Sequence, residues 1–220
     1  MITYEAKTDS HKLTRGLLIC GIALAPLFCA VLIIQFFIRA GFDIRRTPIS
    51  LLSLGDLGWI QIANFIVTGL LAITCAVGIR RAWVGSKGGT LGPLLIATYG
   101  LGLVLAGIFH PDPGYGFPPG TPAGAAAAMS GHAMLHNIAF LIVMVSLIAA
   151  CFVFSRGFRS RGQSGWDTYS VATGILAPVL IAAGIATNTI LLITALPVVA
   201  FGWVSVIAAR LRADLWGVPR

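Results

Sequence analysis

Two histidines stand four residues apart in the chain, His132 and His136. On a helix that spacing sets both imidazoles on one face, one turn from each other. It is the spacing of zinc-binding helices. A His-x-Asp pair, His110 and Asp112, precedes them within the same stretch and offers a third ligand. Three protein ligands would leave one coordination position for water, the arrangement by which zinc makes a nucleophile near neutral pH. The glutamate of the metalloprotease motif is missing, so a divalent metal such as zinc is one reading of three. A metal-free acid–base pair is the second. The third is structural: His132 at the membrane interface, and His136 hydrogen-bonded to a neighbouring helix.

A second group lies in the segment GFDIRRTPISLLSLGDLGWIQIANF. Arg45 and Arg46 offer two guanidinium groups suited to bidentate binding of a phosphate or carboxylate. The alternative is an ion pair with Asp43 or Asp56 that pins the loop. Asp56 follows a glycine and opens a helix, where free N–H groups favour a carboxylate. Trp59 suits an interfacial aromatic belt. Gln61 and Asn64, three apart, share a face that must look onto a partner helix or a cavity.

The elements that position these residues follow from composition. The chain has 220 residues, 57% hydrophobic and 10% charged, with a mean hydropathy of +0.92. A soluble domain is about 25% charged, so these values exclude a cytosolic enzyme and a free-standing nucleic-acid binder. A membrane span needs about 20 mostly apolar residues. Six stretches qualify, roughly 17–38, 57–79, 91–109, 132–154, 169–186 and 189–211. The last two come from one long apolar run, divided at Ala186-Thr187-Asn188, where polar residues mark a turn. The fold class is therefore an all-α, six-helix membrane bundle, and residues 1–220 form a single domain.

The net charge of +8 serves topology and not nucleic acid. Of the fifteen Lys and Arg residues, twelve fall at one side of a six-span protein and only Arg39, Arg45 and Arg46 at the other. Basic residues stay in the cytoplasm, so both termini are expected there. The two long connections, 40–56 and 110–131, then face outward and carry the candidate residues. The second is rich in proline and glycine and should form a rigid, lid-like connection. Ser130 precedes the fourth apolar run and should cap that helix. Pro26, Pro178 and Pro197 lie inside spans, where they kink helices and open space between them.

The runs SLLSLGDLGWIQIANFIVTGLLAI and DPGYGFPPGTP, with the histidine-bearing fourth helix, resemble the bacterial membrane family known as domain of unknown function 998. The resemblance covers roughly residues 17–211. It implies a six-helix bundle and correspondence at Asp56, Trp59, Gln61, Asn64, Asp112, Pro118, Pro119, Gly120, His132 and His136. It moves weight from His110 to Asp112, His132 and His136, and it carries no reaction. The expectation is a multi-pass bacterial plasma-membrane protein with an outward-facing polar pocket. Asp56, Asp112, His132 and His136 would do acid–base or metal-assisted chemistry on a lipid or other apolar small molecule. Arg45 and Arg46, with Trp59, Gln61 and Asn64, would hold that molecule. The alternatives are a non-catalytic lipid- or partner-binding protein and, third, a small-molecule transporter.

Overall fold

The computed structural model describes residues 2–215, with side chains from residue 10 onward. Of the orienting basic residues, the Lys7 side chain and all of Arg220 lie outside these. Seven helices make six spans: α1 (Ile2–Ile38), α2 (Gly58–Ala82), α3 (Leu91–Ile108), α4 (Gly131–Arg159), α5 (Ser164–Ala186), and a last span broken into α6 (Ile190–Thr194) and α7 (Leu196–Asp214). All six are long and apolar enough to cross a membrane. The protein is a multi-pass membrane protein. Among the described residues there is no strand, only an isolated bridge between Gly114 and Phe117.

Helix ends differ from the apolar limits in a consistent way. The first, second, fourth and fifth helices run several residues into polar sequence at their basic ends, as at Arg80–Arg81 and Arg156–Arg159. Backbone hydrogen bonds close a helix whatever its side chains, and Arg is a good helix former. The turn between α5 and α6 falls where the polar residues stand, with Asn188 at a positive φ of 49°. The break at Ala195 is a correction to a continuous last helix. Pro197 sits in the first turn of α7, where a missing N–H costs nothing, and it cannot continue α6.

Each helix runs antiparallel to its neighbour, and the bundle closes into a ring. Going round, α7 packs on α1, α1 on α2, α2 on α3, α3 on α4 and α4 on α5, and α5 returns to α6 and α7. The α2–α3 contact is the closest. A Cβ on Gly69 would lie 2.5 Å from the Gly100 carbonyl, and one on Gly100 2.6 Å from the Gly69 carbonyl. Only glycines permit this approach. The even number of spans puts both ends of the chain at one face, here the basic face. The connections 39–57 and 109–130 lie at the other, the loop face.

The loop face is one locked unit. Arg39 is buried and donates to the Leu52 carbonyl at 2.7 Å and to the Leu54 carbonyl. Its guanidinium lies 5.2 Å from the centre of the Phe117 ring, in the second connection. Phe117 also meets Phe42 edge-on at 5.6 Å, and Phe42 stacks on Phe36 at 5.5 Å. The second connection pins itself, with Tyr115 N–H donating to the Gly124 carbonyl at 2.7 Å and Gly116 N–H to the Pro122 carbonyl at 2.9 Å.

Candidate functional site

Inside the ring, on the loop-face side, lies a cavity of about 430 Å³. Its walls are largely apolar, with Phe28 of α1, Leu103 of α3, Val143 of α4 and Phe201 of α7 among them. The short 3₁₀ turn Ile49–Ser53 and the alanine-rich end of the second connection form its roof. Of the candidate residues, two reach the wall: His136 and Asp112.

His136 is buried, and its Nδ1 sits 2.7 Å from the Phe109 carbonyl and 3.2 Å from the Ala106 carbonyl. These carbonyls are at the end of α3, where the last turn has no helical donors left. A carbonyl only accepts, so Nδ1 carries the hydrogen and the neutral ring has an unprotonated Nε2. That Nε2 has no hydrogen-bond partner among the described residues. The ring therefore does two jobs: it closes the end of α3 and leaves an acceptor next to the cavity. Phe65 packs against it with ring centres 6.4 Å apart.

Asp112 lies at the roof, half-buried. Its Oδ2 accepts from Ser130 N–H at 2.7 Å. Ser130 is the N-cap expected for α4, its Oγ accepting from Ala133 N–H at 3.1 Å. Hydrogen bonds from the Ser130 side chain and backbone, with smaller help from His110 and His132, hold the Asp112 carboxyl below the usual carboxylate range. The carboxylate is thus tied to the start of α4 and keeps its negative charge.

His132 does not join them. It is exposed, stacks on His110 with ring centres 4.9 Å apart, and packs on Phe109 at 5.6 Å. The His132 ring turns outward onto the His110 and Phe109 rings, while the His136 ring is buried against the end of α3. This corrects the one-face metal reading. Among the described residues no three of His, Cys, Asp and Glu are grouped to hold a metal ion. The donor set does not fit the metal, because His132 stacks on His110 off the cavity wall and leaves the free Nε2 of His136 without a second and third ligand beside it.

The other candidates are dispersed. Arg46 Nε pairs with Asp43 Oδ2 at 2.9 Å, and Arg45 gives only its backbone N–H to Asp43 Oδ1, also at 2.9 Å. Hydrogen bonds from the Arg45 backbone and the Arg46 side chain hold the Asp43 carboxyl below its ordinary range. Both arginines are exposed and neither lines the cavity. Asp56 does not cap α2. Gly55, at φ 72°, turns the chain so that Asp56 stays two residues outside the helix, and Leu57 is the cap residue with no side-chain bond. Asp56 instead favours the charge of Arg39, which burial opposes. Trp59 is 64% exposed, away from the cavity.

Gln61 and Asn64 share a buried face that meets α1. Gln35 Nε2 donates to Gln61 Oε1 at 2.7 Å, and Asn64 Nδ2 donates to the Phe28 carbonyl at 3.3 Å. They join helices and do not line the cavity. Three residues deserve a place that sequence reasoning did not give them. Arg39 counted only as a topological charge, although an arginine on the poorly basic side, against a span end, is itself a signal. Gln35, the partner of Gln61, is an intramembrane amide and carries the same signal. Tyr99 is fully buried on the cavity wall, and its hydroxyl has no partner among the described residues. Inside an apolar run a tyrosine reads as core, and nothing local distinguishes it.

With this geometry in place, the chain can be set beside known proteins. It belongs to the family described as protein of unknown function (DUF998), whose model matches residues 22–210. No curated protein and no solved structure matches it.

Proposed function

We propose that this DUF998 member binds a membrane lipid or another apolar small molecule inside the cavity at its loop face. The observation that carries this reading is a mostly apolar hollow of about 430 Å³ with an unpartnered imidazole nitrogen, His136 Nε2, beside it. Small-molecule sites are of this size and kind, apolar with a few fixed polar groups. The loop face is outward in a bacterial plasma membrane and both termini are cytoplasmic, supported by the twelve-to-three division of basic residues.

The test is lipid extraction and mass spectrometry of purified protein, wild type beside Ala200→Phe. Ala200 lines the hollow, and a phenyl ring there takes up part of it and crowds a bound molecule. A molecule retained by the wild type and lost in the variant is the expected result. Equal retention by both would sink the reading.

A catalytic reading has one specific observation in its favour. An imidazole held by a carbonyl at Nδ1, with Nε2 free, is placed as a general base for a bound hydroxyl or amine. It needs only His136, with Asp112 nearby, and it uses neither His132 nor Asp56. Under it, His136→Gln keeps the bound molecule and loses its turnover.

A further inference from the structure

We infer that the molecule held in the hollow presents an amine head group to Asp112 and His136, and is not an anionic amphiphile; this rests on the cavity reading above. The charge on the wall decides it. Asp112 is the one charged side chain among the described residues that line the cavity. His136 adds an acceptor, because its hydrogen is committed to Phe109 at Nδ1. Both groups face a ligand as acceptors, and a donor-bearing head satisfies both.

The cations that an anionic head would require are committed elsewhere. Arg46 is tied to Asp43. Arg39 is turned onto the carbonyls of Leu52 and Leu54 and the Phe117 ring. Arg45 is exposed and off the wall. A phosphate or carboxylate in the hollow would therefore meet the like charge of Asp112 with no guanidinium on the wall to offset it. The hydrogen bonds from Ser130 keep Asp112 anionic through the neutral and mildly acidic range. An ammonium group finds there a charged hydrogen bond, the stronger kind.

The experiment uses the full-length protein in lipid nanodiscs with three probes of equal chain length: dodecylamine, dodecanol and dodecanoate. Binding is read by competition and by thermal shift, for wild type, Asp112→Asn and Ala200→Phe. Dodecylamine should bind the wild type at least tenfold more tightly than dodecanol, with dodecanoate weakest. Asp112→Asn should erase the preference for amine over alcohol. Asparagine still offers Oδ1 to Ser130 N–H, so the loop stays capped, and an unchanged apo melting temperature verifies that. Equal binding of amine and dodecanoate, or an amine preference that survives in Asp112→Asn, overturns the inference and leaves the cavity reading standing. Probes that bind Ala200→Phe as well as wild type overturn both.

Discussion

The same ring of helices has two different interiors. Towards the basic face it is filled with aromatic rings. Trp83 packs on Phe154 at 4.4 Å and on Phe158 at 5.2 Å, and Phe154 meets Trp203 edge-on at 5.4 Å. All four are fully buried. Towards the loop face the helices are no less tightly joined, yet the interior is hollow. Its wall mixes rings, Phe28, Phe65, Tyr99 and Phe201 among them, with alanines: Ala106, Ala133 and Ala200 on the helices, Ala125, Ala126 and Ala128 on the roof. Native cores are close-packed, and a hollow of this size forfeits contacts all around its wall. Bulky residues stand in both halves, and the hollow arises where alanines stand among them at the loop face.

Removing a ring from the filled half is the largest way to break this comparison. Trp83→Ala should destabilise the protein by about 3–5 kcal/mol, read as lost monodispersity and a lower melting temperature in detergent. If the two halves tolerate truncation equally, the contrast is not energetic. Arg39→Ala comes next. It strands the Leu52 and Leu54 carbonyls and unties the roof, at a cost of about 2–3 kcal/mol, with proteolysis expected to begin in the second connection. Persistence of an intact roof in that variant would show that the ring contacts of Phe117 and the second connection's own hydrogen bonds hold it without Arg39. Ala200→Phe sharpens the contrast from the other side. Overfilling a packed core costs about 1–3 kcal/mol, whereas filling the hollow should change the melting point by less than about 1 kcal/mol equivalent. Arg46→Ala is the smallest. Its ion pair with Asp43 is exposed, and its loss should be below about 0.5 kcal/mol.

The spans were legible in the sequence because hydropathy is a local property that the membrane enforces over about 20 residues. The turn at Thr187–Asn188 and the Ser130 cap were legible for the same local reason, since each depends on nearby backbone. The site was legible only in part. His136 and Asp112 stood out as polar residues beside spans, and both reach the cavity. His132 stood out equally and does not, because its ring stacks on His110 in the preceding connection, a contact that spacing along the helix does not report. Arg45 and Arg46 drew attention as a pair, while the arginine that organises the loop face is the single Arg39. The hollow itself had no signal at all. It is made of contacts that are missing between residues far apart in the chain.

The third helix has only 18 residues, against 23 in α5 and 29 in α4. At 1.5 Å per residue it reaches about 27 Å, a little short of a typical hydrocarbon thickness of about 30 Å. Its backbone is clamped against α2 at Gly100, so it has no freedom to slide. Leu94, Leu101 and Ile108 are exposed along it. The acyl chains beside α3 must therefore compress to meet it, at a fraction of a kcal/mol for each ångström. Of the six spans this is the shortest, and it ends at the carbonyls His136 holds.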